Sequence, residues 1–184
     1  YCLVGSEMCI RDRLRASLER ALRTGKVGAL PLDLRHLTEF QQMVLKKAAE
    51  IPPGEMRPYR WVAREIGRPK AARAVGTALA KNPIPILLPC HRVSRSDGSI
   101  GNYAFGPQMK RALLAAEGLD IGVVDNAVTR GVRYIGSHHT DIYCHPTCRH
   151  ARRITPDNRE EFASAADAAA SGRRPCTVCR PIAA

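Results

Sequence analysis

The chain is poor in acid, in aromatic residues and in long apolar runs. Asp and Glu together number 17 against 29 Lys and Arg, and aromatics make up 5% of the 184 residues. The longest apolar stretch, Ile84 to Leu88, is broken by Pro85 and is far too short to span a bilayer. The start of the chain lacks the basic-then-apolar layout of a secretory signal. These absences argue against membrane insertion and export. An odd cysteine count of 7, with four clustered near the C-terminus, argues against a disulfide framework. It points instead to metal ligands plus a spare thiol in a reducing cell interior. What the chain has in excess is positive charge, a net +12, mostly Arg and spread over both halves. That is the electrostatic footprint of a phosphate-rich partner, with nucleic acid ahead of an acidic membrane. With 45% hydrophobic residues, the length supports one ordinary domain or two small ones.

Tyr1 to Arg13 shows no helical or strand period and reads like translated sequencing adapter, so it is set aside with Cys2 and Cys9. Leu14 to Leu22 reads as a short amphipathic helix, followed by a Gly-bearing turn and Leu30 to Leu34. From Thr38 the signals sharpen. Thr38-x-x-Gln41 is a capping-box pattern, and Phe40, Met43, Val44, Ala48 and Ile51 recur at helical spacing, which predicts a helix over Glu39 to Glu50. Pro52, Pro53 and Gly54 end it. A second helix is expected over Tyr59 to Ile66, a turn at Gly67, and a third helix from Pro69 through KAARAVGTALAK. Two short helices about a Gly turn predict a helix-turn-helix. Ile84 to Leu88 is expected as a buried extended segment leading to Pro89-Cys90-His91-Arg92-Val93. A Gly-rich loop then precedes a fourth helix carrying Met109, Leu113, Leu114 and Glu117, stopped by Gly118.

Cys90 stands between Pro and His at the end of that segment. A thiol becomes a nucleophile as thiolate, and a neighbouring base lowers the cost of ionising it. Adjacent side chains on an extended segment diverge, so His91 would act through water or a bend, with Glu117 the best residue to orient it. On the residues alone, nucleophile and small buried hydrophobe remain equal readings of Cys90.

Residues Thr38 to Gly118 resemble the catalytic domain of the O6-alkylguanine-DNA alkyltransferases, through FQQMVL, IPPGEMRPY, IGRPKAARAVGTALAKNPIPILLPCHRV, the GNY loop and KRALLAAEG. The resemblance implies that Cys90 accepts the alkyl group while His91 and Glu117 form a water-bridged relay for its proton. It implies that Asn82 bonds the turn that positions the site, and that Tyr59 contacts a flipped guanine and assists its departure. Arg73 is implied as the finger filling the gap in the base stack, beside Ala72 on a small-residue helix suited to the minor groove. Val93 and Tyr103 are implied as pocket walls. Ala104 and Phe105 depart from the family's usual Ser or Gly after the loop Tyr, which puts pocket width in doubt.

Cys144-x3-Cys148 and Cys176-x2-Cys179 form two close pairs that can converge on one tetrahedral Zn(II). A unit this small would draw much of its stability from the metal. His145 and His150 are potential competing ligands and are expected instead at the surface. Residues Arg133 to Pro181 resemble the zinc-binding domain of the Ada adaptive-response family, through YIGSHHTDIYCHPTCRHARR, EEFASAADAAASG and RRPCTVCRP. That resemblance implies Cys144 as both ligand and acceptor of methyl from a backbone methylphosphotriester, and Cys148, Cys176 and Cys179 as ligands only. Arg149, Arg152, Arg153, Arg173 and Arg174 would hold the phosphates. The unit order is reversed relative to Ada, and no regulator-type domain stands between, so no transcriptional role is implied.

The expected architecture is a mainly α, winged-helix-like domain with a helix-turn-helix, followed by a small α+β zinc-binding domain. Residues 14–36 would be the remnant of an N-terminal domain, 37–119 the alkyltransferase domain, 120–129 a linker and 130–184 the zinc-binding domain. The expected protein is a monomeric, suicidal methylated-DNA-cysteine methyltransferase with Zn(II) and no organic cofactor. Its expected partner is alkylated double-stranded DNA at the nucleoid in the bacterial cytoplasm, with no membrane association. A non-catalytic damage-binding or regulatory protein is the competing class, and Cys90 speaks against it because non-transferring relatives replace that residue, commonly with Trp.

Overall fold

The computed structural model describes residues 7–24, 27–28 and 30–182, with side chains from Leu14 onward. Residues Tyr1 to Ser6 lie outside this range. The first helix, α1 (Glu7–Thr24), starts upstream of the expected Leu14 and so includes part of the segment set aside on sequence. Its run of Glu, Met, Arg and Leu holds strong helix formers, which carry a helix without an apolar period. Only Ala21 of its described side chains is buried, and Leu14, Leu18 and Leu22 are exposed.

Helix α2 (Glu39–Ala49) begins at the expected capping box. The Thr38 hydroxyl accepts from the Gln41 N–H at 3.3 Å, and Gln41 Oε1 accepts from the Thr38 N–H at 2.9 Å. Val44, Leu45, Ala48 and Ile51 face the core. Strand β1 (Arg57–Pro58) leads into α3 (Tyr59–Glu65), and Gly67, at φ +72°, turns the chain toward α4 (Ala72–Ala80). Pro69 lies in that turn rather than in the helix, which starts three residues later at Ala72. Helices α2, α3 and α4 enclose one apolar core that includes Trp61, Val62, Val75, Leu88 and Val93.

Ile84 to Leu88 is a turn and not an extended segment. The Leu88 N–H donates to the Ile84 carbonyl at 3.0 Å, and Ile86 adopts φ +77°. Pro83 and Pro85 lack the N–H groups a strand ladder needs, so the segment closes on itself. A 3-10 turn, Cys90–Arg92, then leads into β2 (Val93–Ser94), which pairs in parallel with β1. On α5 (Pro107–Ala116) the buried face is Lys110 and Leu114, while Met109 is 50% exposed. Lys110, Leu114 and the C-cap Glu117 follow helical spacing, which turns Met109 outward.

Residues 120–129, expected as a linker, form helix α6 (Ile121–Thr129). Asp120 caps it by accepting from the Val123 N–H, and Val124 packs with Met56, Ile100, Leu114 and Leu119. The cap and the apolar spacing Val124–Ala127 favour helix over free chain.

The second unit is α+β as expected. Its sheet has the order β5-β3-β4-β6, from β3 (Tyr134–Ser137), β4 (Thr140–Cys144), β5 (Arg159–Phe162) and β6 (Arg174–Pro175), with only β4 and β6 parallel. Helix α7 (Ala165–Ala170) lays Ala165 and Ala168 on Tyr143. The two units are joined by buried hydrogen bonds. Met56 N–H donates to Thr147 Oγ1 at 2.8 Å, Thr147 Oγ1 donates to the Met56 carbonyl at 3.2 Å, and Arg149 N–H donates to Glu55 Oε1 at 3.2 Å. Among the described residues no helix is long and apolar enough to cross a membrane.

Candidate active site and metal centre

The turn forced by Pro83 and Pro85 sets the first site. Asn82 ties it together. Its side-chain N–H groups donate to the Leu88 carbonyl at 2.6 Å and to Cys90 Sγ at 3.1 Å, and its Oδ1 accepts from the Ile84 N–H at 3.0 Å. Asn82 therefore touches the thiol itself, beyond the turn-holding role expected of it. Cys90 is 7% exposed, and Tyr103 lines the cavity beside it. That cavity, of about 260 Å³, is lined by Tyr59, Gly76, Leu79, Cys90, Asn102 and Tyr103, among others. A Cβ at Gly76 would meet the Tyr59 ring at 3.8 Å, an ordinary packing contact. Burial first, and then the nearby Cys90, raises the pKa of both Tyr59 and Tyr103, so both phenols keep their protons.

His91 and Glu117 come together as expected, with His91 Nε2 at 2.8 Å from Glu117 Oε1. Nδ1 of His91 is buried without a hydrogen-bond partner. Glu117 does more than orient a histidine. It accepts from Arg92 Nη2 at 2.7 Å and from the Gly54 N–H at 3.0 Å. Burial would raise the carboxyl pKa, but hydrogen bonds from His91, Arg92 and Gly54 outweigh it and bring the value down to about 2. Gly54 must be glycine here, since its φ is +69° and a Cβ would lie 2.6 Å from the Glu117 carbonyl oxygen.

Four buried charged residues at and around this site went unassigned in the sequence. Arg92 is 1% exposed and joins Glu117 to the Ile51 carbonyl. Lys110, also 1% exposed, donates to the Val93 carbonyl at 2.6 Å, and burial lowers its pKa to about 8. Glu55 pairs with Arg57 at 2.5 Å. Charged residues in a core break no hydrophobic period visibly, and the Gly54–Glu117 partners are 63 positions apart. The one available signal was adjacency, since Arg92 lies within PCHRV.

Two expected pocket features change. Val93 is fully buried in the core and does not line the cavity, because the 3-10 turn points Cys90 outward and Val93 in. Phe105 is 61% exposed and packs against Tyr103 in a tilted pair with ring centres 5.5 Å apart, leaving Ala104 at the cavity wall. Arg73 is exposed on the first turn of α4, and Ala72 beside it is half-buried.

In the second unit, Cys144 ends β4, Cys148 lies in the following loop, and Cys176 and Cys179 follow β6. All four are buried and free, and their sulfur atoms lie within 4.8 Å of one another. A Zn–S bond of about 2.3 Å implies a tetrahedron edge of roughly 3.8 Å, so this donor set fits one Zn(II) ion. Without a cation such thiols share charge unequally. Hydrogen bonds from Cys144 and Cys179 hold the Cys148 thiol far below its ordinary value, while those same contacts push Cys144 up.

His145 is buried, contrary to its expected surface position, because it sits one residue beyond Cys144 and packs on Tyr134 at 5.5 Å. Burial first, then Arg57, lowers its pKa to about 3. His150 is exposed. The arginines expected to hold phosphate divide. Arg153 and Arg174 are exposed, but Arg149 pairs with Glu55, Arg152 donates to the Gly118 carbonyl at 3.1 Å, and Arg173 pairs with Glu160. Those three contacts also tie the fold and the junction between units, while Arg149 and Arg152 are exposed as well.

Residues 39–119 match the family model described as 6-O-methylguanine DNA methyltransferase, DNA binding domain. Residues 123–181 match the metal binding domain of Ada. Among curated relatives, the chain is 49% identical over 115 residues to a methylated-DNA–protein-cysteine methyltransferase of Rattus norvegicus, covering 59% of this chain and 54% of that one. It is 48% identical over 88 residues to the bifunctional transcriptional activator/DNA repair enzyme Ada of Escherichia coli, covering 48% of this chain and 25% of Ada. A crystal structure of Mycobacterium tuberculosis OGT in complex with DNA is 51% identical, with a TM-score of 0.43 over 44% of this chain and 49% of that one. The chain spans about half the length of the first of these relatives.

Proposed function

We propose that the first unit transfers the alkyl group of O6-alkylguanine in duplex DNA irreversibly onto Cys90, one turnover per molecule. The observation that carries this reading is a single thiol at the floor of an open cavity, with an amide donor at its sulfur and a buried histidine–carboxylate pair beside it. The base would leave the stack to reach it, since a duplex hides the O6 position. The thiol proton would pass through water to Nδ1 of His91, whose Nε2–H is held by Glu117. Sγ then attacks the alkyl carbon, the C–S bond forms as the C–O bond breaks, and the electron pair departs with guanine. Guanine takes up one proton at the Tyr59 side of the cavity, matching the one the thiol has lost, so no proton is gained or lost overall.

Arg73 would fill the gap left by the extruded base, with Ala72 and the small face of α4 set into the minor groove. The α3-turn-α4 pair with the short β1–β2 pairing reads as a winged-helix-like DNA-binding arrangement. The second unit would bind Zn(II) through Cys144, Cys148, Cys176 and Cys179, and the ion's charge would keep all four deprotonated. Cys144 is proposed as a second acceptor, taking methyl from a backbone phosphotriester.

Intact mass after incubation with duplex DNA carrying O6-methylguanine tests the main reading. A gain of one methyl, mapped to Cys90, is expected. An unchanged mass with a chemically reactive Cys90 would overturn it.

A further inference from the structure

We infer that the junction of the two units forms a phosphate-binding cleft that neither unit has alone, and that it holds the backbone of the same DNA whose base enters the Cys90 cavity. This rests on the alkyl-transfer reading above. The cleft has a volume of about 200 Å³ and is lined by Arg60, Ser96, Arg133, Tyr134 and Ser164, together with apolar residues. Arg60 and Ser96 belong to the first unit, and Arg133, Tyr134 and Ser164 to the second. Two guanidinium groups line it and no carboxylate does.

Position identifies the occupant. Arg60 directly follows Tyr59, a wall of the Cys90 cavity, on the first turn of α3. A strand with one base in that cavity brings its neighbouring phosphates past this turn. Arg60 is exposed and makes no hydrogen bond or ion pair among the described residues, so its charge is not spent within the protein. Arg133 is anchored across the junction, donating from Nη2 to the Ser96 carbonyl. One fork nitrogen fixes the guanidinium, and the rest of the fork keeps donors for a phosphate oxygen. The anionic, planar-fork chemistry favours a phosphodiester over a neutral or apolar ligand.

The experiment uses the full, metal-loaded chain and an unmodified duplex, with affinity measured against salt concentration. Each phosphate contact contributes about 0.9 to the slope of log K on log salt. Arg60→Ala and Arg133→Ala should each lower that slope by about one contact and weaken binding several-fold at low salt. Arg133→Lys should retain the slope. Arg60→Ala decides the matter if Arg133→Ala loosens the junction, because Arg60 makes no hydrogen bond or ion pair among the described residues. Wild-type slope and affinity in Arg60→Ala would overturn the cleft. Transfer from the free alkylated base to Cys90, which needs no phosphate, separates the two ideas. Reduced slopes with no transfer from any substrate would leave the cleft standing and remove the alkyl-transfer reading.

Discussion

The two cysteine sites use the same atom under opposite conditions. Cys90 is a lone thiol with an amide donor, two phenols and a cavity of about 260 Å³ in front of it. The four C-terminal thiols face one another within 4.8 Å. A single sulfur needs a path for one proton and room for one substrate, whereas four sulfurs need a cation before they can all be anionic. What separates nucleophile from ligand is therefore what the fold places in contact with the sulfur.

The sharpest way to break that comparison is Cys90→Ala. Transfer from O6-methylguanine DNA is expected to vanish, because the bond to carbon requires the sulfur, while duplex affinity stays near wild type. Residual transfer by this variant, mapped to one of the four C-terminal cysteines, would erase the distinction between the sites.

Metal removal should come next in size. Chelation is expected to abolish the cooperative melting of the second unit, since its core is small and metal binding and folding share one free energy. It should also slow transfer onto Cys90 several-fold, because Thr147 and Arg149 brace Met56 and Glu55, and the adjoining Gly54 N–H holds Glu117. Unchanged melting and unchanged transfer after verified metal loss would show that the quartet is neither a staple nor a brace.

Glu117→Gln probes the support behind Cys90. The variant leaves Arg92 buried without its carboxylate, a loss on the order of 3 kcal/mol. The wild-type carboxyl is held at about 2 against an ordinary 4.5. A depressed acid stabilises the fold above its unfolded pKa, and that contribution disappears as pH falls from about 4.5 toward 2. Denaturant titrations should show wild type losing stability across this window and the Gln variant losing less. Parallel pH profiles would remove Glu117 from the account.

Much of this was legible in sequence, and the reasons for the gaps are physical. Thr38 and Gln41 act locally, so the start of α2 could be read from four residues. The cysteine pairs carry their geometry in their spacing, and Glu117 falls on the face of α5 that meets His91. By contrast, Lys110 and Arg92 are polar residues inside the core, where periodicity gives no signal, and their partners come from elements far away in the chain. The 120–129 helix was missed because polar Asp and Asn suggest loop, although Asp120 works there as a cap. The turn at 84–88 was missed for the opposite reason, since apolar composition suggested a strand while two prolines forbade its ladder.

Lys110 offers a smaller test, on stability alone. Its pKa falls from 10.5 to about 8 on folding, chiefly by burial. A base held below its unfolded pKa makes the fold costlier while charged, so wild-type stability should rise between about pH 8 and 10.5 as the unfolded chain alone retains the proton. The rise should be on the order of 3 kcal/mol and absent in Lys110→Met. A flat wild-type profile over that range would mean that the ammonium is well solvated by its carbonyl partners.

The smallest effect is expected where the two sites come closest in chemistry, methyl transfer from a backbone phosphotriester to Cys144. Cys144 is only 3% exposed, and of the arginines around the quartet Arg149, Arg152 and Arg173 are already bound within the protein. Arg153 and Arg174 remain exposed to steer a phosphate. The sulfur has to be uncovered before a phosphotriester reaches it, so transfer should be much slower than at Cys90. Methylation would turn one thiolate ligand into a thioether and remove one negative charge from the centre, and affinity for DNA should then rise modestly and remain salt-sensitive. Peptide mapping of the zinc-loaded Cys90→Ala protein after long incubation with methylphosphotriester DNA checks this, with methyl expected on Cys144 and on none of Cys148, Cys176 or Cys179. Four unmodified cysteines in a stoichiometrically loaded protein would reduce the second unit to a metal-held tether.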